Sequence, residues 1–203
     1  MELNKIREDF NMLSTKLVYF DNAATTFKPQ IVSNAICDYY LNETANIHRG
    51  DYDLSLSVSD KYEETRNKVA EFINSKVNEV VFTSGTTDSI NRICFGFARK
   101  WLKSNDVILT TVADHASNLL PWFQLSKETG IGIEYIELSD EGAITIENFK
   151  KAMHGRVKIV AIAHITNVMG HIAPIKEIAA IAHDFGAIVV IDGAQSVPHI
   201  KQM

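Results

Sequence analysis

The run Gly186-Ala187-Ile188-Val189-Val190-Ile191-Asp192-Gly193-Ala194-Gln195 narrows most sharply what this chain can fold into. Its apolar stretch, Ala187 to Ile191, stops at an acid followed by glycine. A short apolar run bounded by turn residues reads as a strand buried on both faces. A helix-like segment, Pro174 to Phe185, leads directly into it. The strand is therefore expected to be parallel to its neighbours, with Asp192 at its C-terminal end, where open α/β sheets collect their ligands. Taken alone, Asp192-Gly193 reads first as a plain turn after a strand. The rest of the chain changes that balance.

From about residue 79 onward, strands and helices alternate. Val80–Phe82, Val107–Leu109, Gly132–Leu138 and Val157–Ala163 read as strands. The helices between them are a segment with the apolar stripe Ile90, Ile93, Cys94, Phe97 and Trp101, then Pro121 to Thr129, then Thr145 to Met153 capped by Thr145. Before residue 79 the pattern differs. A short amphipathic helix (Asn4–Met12), a strand (Leu17–Phe20) and a helix from Pro29 to about Leu41 come first. A loop carrying Asn46-Ile47-His48-Arg49-Gly50 and a helix from Ser57 to Asn74 follow. The alternation predicts an α/β fold: three layers, a mostly parallel sheet flanked by helices.

Charge and cysteine usage limit the function classes. A net charge of −5 with no basic cluster argues against nucleic acid or an anionic membrane surface as partner. No apolar run is long enough to span a bilayer. The N-terminus, charged throughout, is not a signal peptide, and two widely spaced cysteines, Cys37 and Cys94, predict a reducing, cytoplasmic setting. Both cysteines read as small buried hydrophobes.

Four predicted strands end in polar clusters: Ser84-Gly85-Thr86-Thr87, Asp114-His115, Thr166-Asn167 and Asp192-x-x-Gln195. In a parallel sheet these clusters converge on one edge, and four at equivalent positions predict a site. Gly85, Thr86 and Thr87 open a helix, so backbone N–H groups and two hydroxyls are available to a phosphate. Capping of that helix by Ser84 or Thr86 is the simpler alternative. Neither a Walker P-loop nor a Rossmann glycine pattern is present. Asp192 suits a protonated ring nitrogen. His115 suits stacking on a flat ring, or an internal hydrogen bond. Asn167 and Gln195 suit a ring oxygen, although Asn167 equally shapes a turn toward Gly170. Phosphate, ring nitrogen and ring oxygen together describe pyridoxal phosphate. No histidine shows metal-ligand spacing, and no metal is assigned.

The motifs Asp21-Asn22-Ala23-Ala24, His48-Arg49-Gly50, Thr83-Ser84-Gly85-Thr86-Thr87, Asp114-His115-x-x-Asn118-x-x-Pro121-Trp122, His164-Ile165-Thr166-Asn167 and Asp192-Gly193-Ala194-Gln195 occur in this order. Together they resemble the cysteine desulfurases, in the class V aminotransferase group of fold type I pyridoxal phosphate enzymes, most closely the SUF-type branch. The resemblance implies that Gly85, Thr86 and Thr87 bind the cofactor phosphate and that His115 stacks on the ring and moves protons. It places Asn167 beside the ring near substrate, Asp192 on the ring nitrogen and Gln195 on the ring oxygen. It places His48 and Arg49 near substrate and a dimer interface. Ala116 departs from the pattern, since many SUF-type members carry a second histidine there.

The resemblance further implies L-cysteine or a similar amino acid as substrate, a homodimer, a sulfur-acceptor protein and a role in iron–sulfur assembly. Selenocysteine lyase, another class V enzyme and a non-catalytic binding module are the alternatives. In the family the Schiff-base lysine, the sulfur-accepting cysteine and a small C-terminal domain come later than Met203. The expectation is therefore an N-terminal portion, inactive alone, with N-terminal helices and loops over residues 1–55 and an incomplete cofactor-binding large domain over 56–203.

Overall fold

Strand β1 (Val107–Thr110) lies inside a four-stranded sheet with β2 (Gly132–Tyr135), β3 (Val157–Ala163) and β4 (Ile188–Asp192), in the order β2-β1-β3-β4. Every pairing is parallel. This is the α/β arrangement that the alternating pattern predicts. The structure is a computed structural model and describes residues 3–15 and 17–201.

Because strand side chains alternate between faces, the sheet carries two separate cores. On one face Val107, Leu109, Val160 and Ile162 pack with Phe149 of α7 (Ile146–Ala152) and with Ile178 and Ala182 of α8 (Ile175–Asp184). On the other face Ile108, Ile159, Ala161 and Val190 pack with Ile90, Cys94 and Ala98, and with Trp122 and Leu125 of α6 (Ala116–Thr129). Ile90 belongs to α4 (Thr86–Asn91), which runs through a π segment, Arg92–Ala98, into α5 (Arg99–Trp101). Helices thus cover both faces, giving three layers. Val157 and Ile159 point to opposite faces although two residues apart. A register shift between Val107 and Ile108 against β3 absorbs the extra residue.

The chain divides into two compact units, one up to Val80 and one from Val81 onward. The first holds α1 (Leu3–Glu8), a 3-10 turn (Asn11–Ser14), α2 (Gln30–Asp38) continued by a π turn (Tyr39–Glu43), and α3 (Asp53–Phe72). Helix α3 buries Ser55, Val58 and Ala70 along one face.

Several sequence expectations need correction. Leu17–Phe20 and Val80–Phe82 are not strands, and Phe20 and Val81 stand exposed. Their composition is strand-like, but a strand exists only with a partner ladder, and no described residue supplies one. The predicted helix at Pro121 begins five residues earlier, at Ala116, so Pro121 lies inside it. Its ring cannot donate to the Ser117 carbonyl, and the helix tolerates that loss one turn from its start. Strand β4 is not buried on both faces. Val190 is buried, but Ile188, Val189 and Ile191 are half-buried, as befits an edge strand of this sheet. Of the two cysteines only Cys94 is buried; Cys37 is exposed on α2. Burial, with a smaller contribution from Glu128, pushes the Cys94 thiol up to about 12, so it packs as a hydrophobe.

The cap expected at Thr145 is present: its side chain accepts from Asn148 N at 3.1 Å. Thr145→Ala should lower the unfolding free energy by about 1 kcal/mol, read as a shifted urea midpoint at unchanged slope. A change within error would mean that α7 is held by packing alone.

Candidate functional site

The C-terminal ends of β1, β3 and β4 lie side by side and are stitched together. After β1 the chain turns through Thr111 to Asp114, a buried carboxyl group. Asp114 Oδ2 accepts from Thr111 Oγ1 at 3.0 Å, and Oδ1 accepts from Ala163 N at 2.5 Å and Asn118 Nδ2 at 3.3 Å. The contact with Ala163 joins the end of β1 to the end of β3. Burial pushes the Asp114 carboxyl above its ordinary value of 3.8, against the pull of hydrogen bonds from Thr111, Asn118 and Ala163. His164 N, the first amide after β3, donates to Asp192 O at 3.0 Å and so ties the end of β3 to β4. The His164 ring is also buried, which holds its imidazole below the ordinary 6.5.

Asp192 closes β4 as a buried side chain. Its Oδ1 accepts from Ala194 N at 2.9 Å and fixes the following turn. Among the described residues Oδ2 takes no hydrogen bond, so one oxygen of a fixed carboxylate is left to accept from a ligand. Gln195 is half-buried in that same turn. Asn167 sits half-buried in the Thr166–Gly170 turn but does not build it. Thr166 does, with its O accepting from Gly170 N at 3.0 Å and its Oγ1 accepting from His171 N at 3.2 Å.

His115 is the N-cap of α6. Its Nδ1 accepts from Ser117 N at 3.2 Å and lies 3.0 Å from Ser117 Oγ. Ser117 Oγ is in turn 2.8 Å from Thr87 Oγ1. The fourth cluster therefore reaches the same edge, although no strand precedes it. Gly85, at φ 145°, holds a conformation that side-chain-bearing residues avoid, and it leads into α4 with no side-chain cap. Neither Ser84 nor Thr86 caps that helix, so the simpler alternative for this cluster does not hold. Instead Asp88 Oδ2 accepts from Ser84 N at 3.2 Å. Among the described residues no side chain caps the sixteen-residue helical segment from Thr86 to Trp101, so its first-turn N–H groups are of the kind that can receive an anion.

His48 and Arg49 belong to the first unit. His48, at φ 60°, donates its N–H to Ser59 Oγ at 2.9 Å and pairs its ring with Glu63 at 3.1 Å. Arg49 is exposed beside it. The loop is pressed onto α3: a Cβ at Gly50 would stand 2.5 Å from Ser55 Oγ, so only glycine fits. Among the described residues no group of three His, Cys, Asp or Glu side chains is placed to hold a metal, and no helix is long and apolar enough to cross a membrane.

Sequence reasoning gave Asp114 no role of its own and missed Ser117. A hydroxyl two residues after an N-cap is the only local signal for Ser117. Thr111 and Asn118 lie within four residues of Asp114, but nothing local marks its third partner, Ala163.

A family model described as aminotransferase class-V matches residues 18–202. The chain belongs to the class-V aminotransferase family. Within that family, a probable cysteine desulfurase of Halalkalibacterium halodurans is 43% identical across 99% of this chain and 51% of its own length. One from Synechocystis is 40% identical across 96% of this chain and 48% of its own. The solved apo structure of a cysteine desulfurase from Thermococcus onnurineus superposes with a TM-score of 0.93 at 40% identity, covering 98% of this chain and 49% of that one. The chain spans about half the length of the curated relatives it matches. Its sheet is therefore a fold type I arrangement, and the stitched edge is the C-terminal edge of a class-V sheet.

Proposed function

We propose that this chain forms the cofactor-binding part of a pyridoxal phosphate-dependent cysteine desulfurase, which takes sulfur from L-cysteine. The observation that carries the reading is Asp192, a buried carboxylate at a strand end whose Oδ1 is held by Ala194 N and whose Oδ2 takes no hydrogen bond among the described residues. That is the acceptor a pyridinium N–H requires, so the residues fit the group. When bound, pyridoxal phosphate supplies an electron-withdrawing ring that takes up the electron pair released at the substrate carbon. Asp192 keeps the ring nitrogen protonated. The N–H groups that follow Gly85, with the Thr86 and Thr87 hydroxyls, hold the phosphate. His115 lies against the ring and carries a proton, Gln195 donates to the ring oxygen, and Asn167 lies beside the substrate. His48 and Arg49 serve the substrate or the interface of a homodimer.

A sulfur-acceptor protein, delivery of sulfur to iron–sulfur assembly and a cytoplasmic setting complete the proposal, supported by relatives named cysteine desulfurase. The test has two parts. Pyridoxal phosphate is titrated into this chain and its Asp192→Ala variant while cofactor absorbance is followed. The whole protein is assayed for sulfide and alanine release from L-cysteine, with L-selenocysteine in parallel. Saturable binding that Asp192→Ala weakens, with sulfide release by the whole protein, supports the reading. Equal binding by both chains would remove Asp192 from the site, and a preference for selenocysteine would reassign the substrate.

A further inference from the structure

We infer that Ser117 is a positioning residue whose backbone N–H holds His115 in one tautomer and whose hydroxyl links the ring to Thr87. A backbone N–H can only donate, and that of Ser117 points at His115 Nδ1 from 3.2 Å. Nδ1 therefore carries a lone pair, and in the neutral ring the proton resides on Nε2. The Ser117 hydroxyl lies 3.0 Å from the same nitrogen. With no proton on Nδ1, the hydroxyl is the donor in that contact, and its oxygen is left to accept. Thr87 Oγ1, at 2.8 Å, supplies the hydrogen. The chain of bonds thus runs in one direction, from Thr87 to Ser117 to His115. The opposite direction would set a proton on Nδ1 against the Ser117 N–H and uncap α6.

Two consequences follow for chemistry at this edge. Nδ1 is committed to the cap, so any proton that His115 gives or takes passes through Nε2. The Thr87 hydroxyl proton is shared between Ser117 and any anion at the start of α4, so occupancy there is transmitted to the ring through one hydroxyl. The chemical use of this arrangement rests on the pyridoxal phosphate reading, but the arrangement itself does not.

The test is run on this chain without cofactor, so its outcome is separate from that of the reading. Histidine ring nitrogens are assigned by long-range proton–nitrogen NMR at a pH where the ring is neutral. His115 is expected to show a protonated Nε2 and a bare Nδ1. Ser117→Ala keeps the backbone donor but removes the hydroxyl. It should move the Nδ1 resonance toward that of a ring nitrogen without donors, leave the tautomer unchanged and leave the melting temperature nearly so. Ser117→Thr should restore the wild-type resonance. A proton on Nδ1 in the wild-type chain would overturn the inference whatever the variants do. So would an Nδ1 resonance indifferent to loss of the hydroxyl, since a purely structural serine leaves that nitrogen untouched.

Discussion

In the whole protein, Asp192→Asn is expected to lower kcat/KM for L-cysteine by roughly 10²–10³-fold, the scale on which one preorganised charge contact acts in a water-poor site. The substitution is chosen because the asparagine oxygen can still accept from Ala194 N, as Oδ1 does at 2.9 Å. The turn that carries Gln195 is kept and the negative charge alone is lost. A neutral amide opposite the ring nitrogen no longer favours its protonated form, so the electron sink weakens although the cofactor still binds. The loss should therefore fall mainly on kcat, with KM changed little. Steady-state kinetics with cofactor occupancy measured on the same samples provides the check. A variant within a few-fold of wild type at full occupancy would refute the role assigned to Asp192.

The contrast between Asp192 and Asp114 shows what a sequence can reveal. Asp192 ends a run of five apolar residues, so its place at a strand end is written locally, and the hydrophobic period locates it. The same holds for β3, whose bounds match the apolar run Val157–Ala163, and for the cap at Thr145. The strand-end edge was legible because parallel strands joined by helices must all end on one side. What the sequence hid lies in contacts between distant segments. Asp114 meets Ala163 across 49 residues, and Thr87 meets Ser117 across 30. No spacing rule spans such distances. Pro121 concealed the start of α6, because proline normally marks a helix's first turn and here it sits in the second. At Leu17–Phe20 and Val80–Phe82 the residues favour strands, but the ladder that would make them strands is missing among the described residues.

Asp114→Ala is expected to destabilise this chain by about 3 kcal/mol, because it strips the acceptor from three donors at a buried strand junction. Thr111 Oγ1, Ala163 N and Asn118 Nδ2 all end on this carboxyl group, and all three residues are buried. Each buried donor left without a partner costs about 1–3 kcal/mol; the total stays near the low end because burying the ionised carboxyl is itself unfavourable. Asp114→Asn retains an oxygen for Ala163 N and should cost only about 1 kcal/mol. The pH dependence separates the two contributions. A carboxyl group whose folded-state value is raised binds its proton more tightly when folded. Its stabilising effect is full below the ordinary 3.8 and is lost as pH rises through the raised value. Asparagine does not titrate, so the stability gap between wild type and Asp114→Asn should narrow as pH rises across that window. Urea unfolding of the three proteins at several pH values provides the measurement. If the gap widened with pH, the charged form would be the one the fold favours, and the hydrogen bonds from Thr111, Asn118 and Ala163 would outweigh burial at the junction.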